Sequence, residues 1–395
     1  MRGRIVLGMG DNVDYEIEWR PGVYEQLIAQ YGIRGEELSA DHFIETERDM
    51  VLSILGFVKD GRGGERFVAN PEVIEAFAAR FPKKTTLGGT GVRAAIAMAK
   101  FGYTASLHLV TVNDCIRSLL PPGCEYVCSN GWDNHYPHLI VQFPTGATVS
   151  AGDIRLKTAR ANRLIYNHNL DNMRMLLSER LEGFLREAKV FLISGFNAIH
   201  HGELLKERLD QLTRMMRVLP RDAVVYLEDG GYHEPALRKI LQQALCPVTD
   251  IYAMNEDELQ ECLGRKVDLL NAKDVRQALG DVRALAPVPV IVVHAKYWAL
   301  ASGNVTAAVR QGLTGGVALA TTRYRLGEDF NKDDCDATER LPMEDEGVRF
   351  SREIEALMPG EVCCVPSFHV DKANATTIGL GDAFVGGFLA RYSNT

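Results

Sequence analysis

An α/β fold, with a large three-layer α/β/α unit and a smaller β-rich lid, is what this 395-residue sequence predicts. Three observations carry the prediction. Short Val/Ile/Leu-rich runs alternate with amphipathic stretches through the second half, two aromatic and turn-rich regions break that rhythm, and the length exceeds the roughly 250–300 residues at which one core stops growing.

The alternating runs are AKVFLIS (188–194), AVVYLED (223–229), VTDIYAMN (248–255) and VPVIVVHA (288–295). Between them lie segments such as 202–219, where Leu204, Leu205, Leu209, Leu212 and Met216 recur at helical spacing. Near-continuous apolar strands separated by helices predict a parallel sheet covered on both faces. Residues 12–50 and 105–180 carry alternating strands and turns, as a small sheet with one solvated face would. They are assigned to a discontinuous lid, and 1–11, 51–104 and 181–395 to the large unit. The acid-rich stretch 326–347 lacks apolar periodicity and reads as a surface insertion, with a helical one as the alternative.

A net charge of −8 without a basic cluster argues against a nucleic-acid partner and for a small-molecule one. The eight cysteines match no zinc or disulfide spacing and read as reduced thiols. The opening MRGRIVLGMGD has too short an apolar run for a secretory signal, and no stretch approaches the ~18 apolar residues of a membrane span. The expectation is a soluble, cytoplasmic protein with no membrane partner.

The most informative motif is Gly379-Leu380-Gly381-Asp382, which follows the strand-like EVCCVPSFHV and opens a run with Phe384 and Phe388 on one helical face. Glycines at a helix start let backbone N–H groups approach an anion, and a carboxylate there can take the proton of an attacking hydroxyl. The competing reading makes Asp382 a helix cap. Asn255 and Glu258 are likewise spaced as a capping box, whereas the functional alternative gives Glu258, with Glu228 at a neighbouring strand end, to a magnesium ion. Gly88-Gly89-Thr90-Gly91 precedes an alanine-rich helix. Gly89, Gly91 and Ala94, with Asp114 about 20 residues on, also fit a dinucleotide fingerprint, but RFPKKTTL is a poor buried strand to lead into one. Asn12 and Asp14 follow the first strand, where Asp14 either binds sugar hydroxyls or occupies a turn.

Taken in order, GMGDNVD, GGTG, ARANRLI, ISGFNAI, YLED, NEDE, VHAKYWAL and TTIGLGD resemble the ADP-dependent sugar kinase family of glucokinases and phosphofructokinases, within the ribokinase-like superfamily. The resemblance runs along most of the chain. It implies a ribokinase-like large domain capped by a lid, an Mg²⁺-dependent transfer of the terminal phosphoryl of ADP to a sugar or sugar-phosphate hydroxyl, and AMP as product. It implies Asp382 as catalytic base, the Gly379, Leu380 and Gly381 amides as anion hole, and Glu228 and Glu258 at the metal. Asn12, Asp14, Gly88 and Gly89 fall on the sugar side, and Asn255 and His294 on the nucleotide side. Three positions depart from the family pattern: Tyr226 stands where a histidine is frequent, Thr90 where asparagine is, and Ala383 where threonine is. An ATP-dependent sugar or nucleoside kinase, or a silent sugar or nucleotide sensor, is the alternative, and a nicotinamide oxidoreductase stands third.

Other candidates have structural competitors. Lys157, Arg160 and Arg163 form a basic group that reads either as a clamp for a sugar phosphate or as a solvated helical face. His135 and His138 have HxxH spacing, but in a loop with Trp132 and Pro137 rather than on a rigid helix, so a surface or lid role is expected. His200 and His201 read as a turn or pocket edge.

Overall fold

The computed structural model describes residues 4–131, 133–370 and 378–393. Trp132, and residues 376 and 377 at the start of the TTIGLGD run, lie outside them.

The nine-stranded main sheet runs Val362–Pro366, Trp298–Gly303, Val290–His294, Ile251–Asn255, Val224–Glu228, Ala188–Ile193, Arg4–Leu7, Ser106–Leu109 and Glu125–Cys128. Successive side chains point to opposite faces of a strand. Ile5, Leu7, Val190 and Leu192 enter one core, and Val6, Phe191 and Ile193 the other. Thr90–Ala99, Ala307–Leu326 and Leu380–Tyr392 cover the first face, and Gly202–Met215, Pro235–Leu245 and Ala272–Leu285 cover the second. The three layers expected from the sequence are thus present.

The sheet is mixed rather than all parallel. Val290–His294 pairs antiparallel with Trp298–Gly303, which pairs antiparallel with Val362–Pro366. Only residues 295–297 join the first pair, enough for a hairpin and far too few for a parallel crossover.

The second sheet has the order Gly64–Phe67, Asn162–Asn167, His138–Phe143, Asn12–Glu18 and Lys83–Gly88. Strands 64–67 and 83–88 therefore belong to this sheet, although the sequence pattern placed 51–104 with the large unit. Ser106–Leu109 and Glu125–Cys128, placed with the lid, join the main sheet. Lys83–Gly88 misled because it is an edge strand, where lysines are tolerated and guard the open side. Tyr15, Ile17, Leu139 and Val141 are buried in the core that also takes Tyr24, Met50, Ile54, Phe57 and Phe77 from the helices Pro21–Tyr31, Glu47–Asp60 and Pro71–Ala78. Alternation turns Asp14, its register partners Thr86 and His138, and Glu16 to the opposite face.

The 326–347 stretch contains the helix Lys332–Thr338. Asn331 and Asp334 form a capping box at its start, and Cys335 and Thr338 are buried, so a cap and two buried side chains replace a long apolar stripe.

Helix Leu380–Tyr392 is seated by close backbone approach to Ala307–Leu326. A Cβ at Gly315 would stand 2.4 Å from the Gly387 carbonyl oxygen, and one at Gly387 would stand 2.3 Å from that of Gly315. Only glycine allows this contact, which fixes where the first turn, with Asp382, is delivered.

Candidate active site

Three adjacent parallel strands end side by side: Val224–Glu228 with Glu228, Ile251–Asn255 with Asn255, and Val290–His294 with His294. Ligands of open α/β sheets bind beyond such carboxyl ends. His294 Nε2 lies 3.0 Å from Glu228 Oε1, and its ring stacks on Phe384 with centroids 4.5 Å apart. Burial alone would lower the His294 pKa, but the Glu228 carboxylate outweighs it and raises it. Glu258 makes the capping box: its Oε2 accepts from the Asn255 amide at 2.8 Å, and Asn255 Oδ1 accepts from the Asp257 and Glu258 amides at 2.8 and 2.9 Å. Burial, then the nearby Glu228 charge, push the Glu258 carboxyl pKa upward.

Glu228 Oε2 is buried with no hydrogen-bond partner. An orphaned carboxylate oxygen beside a second carboxyl whose ionisation is opposed is the environment a divalent cation would relieve. Among the described residues no group of three or more His, Cys, Asp or Glu is arranged to hold a metal. Mg²⁺, which keeps several waters and shares phosphate oxygens, can be held by as few as one or two carboxylates.

The Leu380–Tyr392 helix starts over this edge. Gly379 is its cap residue, left-handed at φ 65°, and a Cβ there would stand 2.7 Å from Arg93 Nη1. Glycine is demanded twice at this position, by conformation and by space. Asp382 lies in the first turn, not at the cap, so the capping alternative does not describe its position. Gly381 is tied to the strand-end cluster, since a Cβ on it would lie 3.5 Å from His294 Cε1.

Across the seam, Arg93 of helix Thr90–Ala99 draws Asp14 and Asp382 together. Its Nη2 donates to Asp14 Oδ2 at 2.6 Å, and its Nε lies 3.8 Å from Asp382 Oδ2. Asp14, the third residue of strand Asn12–Glu18, is 4% exposed rather than in a turn. Asn12 Nδ2 donates to Asp14 Oδ1 at 2.5 Å, and His138 Nδ1 lies 3.8 Å from the same oxygen. Burial raises the Asp14 pKa and Arg93 opposes it. His138 Nε2 is 3.0 Å from Asn169 Nδ2, and burial lowers the His138 pKa to about 4. Gly88 pairs in register with Asn12, and Gly89, at φ 91°, packs where a Cβ would stand 2.7 Å from the Gly10 carbonyl oxygen.

The structure therefore brings Asn12, Asp14, Gly88, Gly89, Gly379, Leu380, Gly381 and Asp382 to one seam, with Glu228, Asn255, Glu258 and His294 beneath it. Arg160 and Arg163 stand apart. Arg163 is in register with Gln142, itself opposite Glu18, four positions along from Asp14, or about 13 Å at ~3.3 Å per residue. Arg160 is exposed between strands, so neither arginine is on a helical face. His135 bonds Tyr15 and Asn113, and His200 stacks on His233. The Gly89 turn leaves an antiparallel edge strand, not the first strand of a parallel βαβ unit, so the dinucleotide geometry is not formed. Tyr226 is fully buried against Phe388, and Ala383 is buried; Thr90 is the first residue of its helix.

Arg93 and His138 were not anticipated as partners of Asp14. The one signal was a lone arginine inside the apolar run GVRAAIAMA, where burial demands a partner.

Residues 3–280 match the family model for the conserved region of ADP-specific phosphofructokinase/glucokinase. A Bos taurus ADP-dependent glucokinase is 23% identical over 267 residues, 65% of this chain and 52% of the relative, so the chain matches about half that relative's length. A phosphofructokinase from Pyrococcus horikoshii OT3, solved with AMP, superposes with a TM-score of 0.78 at 17% identity, covering 100% of this chain and 98% of that one. An ADP-dependent kinase solved with fructose-6-phosphate and ADPβS gives 0.75 at 14% identity, covering 99% and 94%. At these identities the superpositions establish the fold.

Proposed function

Because the chain belongs to the ADP-specific phosphofructokinase/glucokinase family, we propose that it is an Mg²⁺-dependent phosphotransferase, moving the terminal phosphoryl of ADP to a hydroxyl of a sugar or sugar phosphate and releasing AMP. The observation that carries this reading is the placement of Asp382 in the first turn of a glycine-opened helix, between an acceptor carboxylate, Asp14, held through Arg93, and the Glu228–Glu258–His294 edge.

In this mechanism Asp14 and Asn12 orient the acceptor by hydrogen bonds to its hydroxyls. Asp382 receives the proton of the attacking hydroxyl. The free amides of the first helical turn, aided by the helix dipole, stabilise charge on the transferred group. Glu228 and Glu258 would hold Mg²⁺, which neutralises phosphate charge when bound. Asn255 and His294, at strand ends under the loop, fall on the donor side. The related kinases were solved with AMP, or with fructose-6-phosphate and an ADP analogue, which favours ADP as donor and a hexose or hexose phosphate as acceptor. A cytoplasmic setting suits those metabolites and the eight free cysteines.

Product analysis with a panel of sugars and both nucleotides tests the proposal. AMP formed in equal amount with phosphorylated sugar is the expected result. ADP formed from ATP at higher catalytic efficiency would overturn the donor assignment, and no phosphorylated product with any pair would overturn the kinase reading.

A further inference from the structure

A cavity of ≈ 260 Å³ runs along helix Thr90–Ala99 between strand Lys83–Gly88 and the end of helix Ala307–Leu326, and among the described residues it touches Gly379 and Ala383 at the start of the last helix. Its described lining carries four cations, Lys84, Arg93, Lys100 and Arg323, against the single carboxylate of Glu328. Glu328 already serves several of them: Oε2 lies 2.7 Å from Lys84 Nζ, and Oε1 lies 3.0 Å from Arg323 Nη2 and 3.8 Å from Arg93 Nη1. Although burial opposes its ionisation, Lys84 and Arg323 hold its pKa down to about 2.

Two cations remain incompletely matched. Arg93 Nη1 is buried and makes no hydrogen bond, although the opposite side of the guanidinium is committed to Asp14. Lys100 Nζ reaches two neutral carbonyls, of Glu328 at 2.5 Å and Phe330 at 2.8 Å, and lies 4.4 Å from the Phe330 ring centroid. Among the described residues no carboxylate pairs with it directly, and burial lowers its pKa while Asp329 and Glu328 act on it from further away. A pocket whose described lining carries more cations than carboxylates, with a buried guanidinium nitrogen that makes no hydrogen bond, is complementary to a tetrahedral oxyanion.

We propose that this cavity is a second anion site, for a phosphate-class oxyanion, free or as the phosphate of a small metabolite, held by Arg93 Nη1, Lys100 and Lys84. It lies behind the catalytic loop. Arg93 Nη1 and Arg323 Nη2 stand 2.7 and 3.2 Å from where a Gly379 Cβ would be, and Arg323 Nε donates to the Ile378 carbonyl at 2.8 Å. An anion bound here therefore bears on the loop that delivers Asp382. That consequence rests on the kinase reading, whereas binding itself does not.

The test is thermal unfolding of the whole chain in inorganic phosphate against chloride at matched ionic strength, repeated with glycerol 3-phosphate. The native protein should gain stability from phosphate. Lys100→Met should raise the half-saturating concentration by about tenfold or more, as loss of a charge-assisted contact does. Lys100→Arg should retain the gain, and Glu328→Gln, which removes the internal anion, should enlarge it. No gain in the native protein, or an equal gain in Lys100→Met, would overturn the site and assign any phosphate effect to the amides of the catalytic loop. If Lys100→Met does not fold, Glu328→Gln decides alone, and an unchanged or smaller gain there overturns the proposal. A stronger response to glycerol 3-phosphate than to phosphate identifies a metabolite site, the reverse a free-phosphate site. None of these readouts needs turnover, so a failed kinase assay would leave the result standing.

Discussion

His294 and His138 are both largely enclosed, yet their pKa values move in opposite directions, up for His294 beside Glu228 and down for His138 in the small sheet. The contrast follows from how their regions are built. The strand-end edge is held by neighbours close in sequence, such as Asn255 and Glu258, and by adjacent strands in register. The seam above it is held by side chains from distant segments, Asp14, Arg93 and Asp382, which meet around one guanidinium. The edge is an arrangement of backbone ends, whereas the seam is an arrangement of charges. Mutations should therefore fail differently in each.

The largest effect belongs to the residue where the two regions meet. Asp382→Asn should lower kcat by ~100-fold to ~10,000-fold while nucleotide binding survives, as expected on losing a general base. Steady-state rates with a binding titration check this, and near-normal turnover would remove Asp382 from the mechanism.

Next, Arg93→Met should destabilise by about 3–5 kcal/mol in urea unfolding, because it leaves Asp14 buried without its partner. Should the loss be below about 1 kcal/mol, the seam is not organised by this ion pair. The proposed capping and metal roles of Glu258 separate in the edge region. Glu258→Gln keeps a side-chain acceptor for the Asn255 amide but removes the charge. It should cost under about 1 kcal/mol in stability and raise the magnesium requirement roughly tenfold. Lost stability at unchanged magnesium dependence would leave Glu258 a cap only.

The same division explains what could be read from the sequence. The edge was legible because its signals are local: β-rich runs ending in Glu228, Asn255 and His294, a capping box, and glycines opening a helix at Asp382. Asp14 was legible only as one option, since nothing near it in sequence says whether it lies in a turn or a buried strand. Arg93 was missed as a member of the seam because its partner Asp14 is 79 residues away, and no periodicity encodes a contact at that distance. The small sheet was misassigned at Lys83–Gly88, where an edge strand carries the polar pattern of a loop. Arg163, grouped with Lys157 and Arg160 by spacing, sits on a strand whose register carries it away from Asp14.

The smallest effect is the most direct comparison of the regions, because one residue type reports on both. His138 has a folded pKa lowered to about 4 from an ordinary 6.5, so the unfolded chain binds its proton first. Its contribution to stability is then complete above about pH 6.5 and is lost as pH falls toward 4, amounting to about 1 kcal/mol by pH 5.5. His294 has the opposite sign. With a folded pKa above the ordinary value, it contributes fully below about pH 6.5 and loses that contribution as pH rises through the folded value. His138→Gln should therefore flatten the acid limb of the stability curve and leave the alkaline limb unchanged, whereas His294→Gln should flatten the alkaline side and spare the acid one. Thermal unfolding from pH 4 to pH 9 in a metal chelator, to keep Glu228 free of added cations, separates the two. If both variants changed the same limb, the Glu228 carboxylate would not be what protonates His294, and the electrostatic distinction between edge and seam would fail.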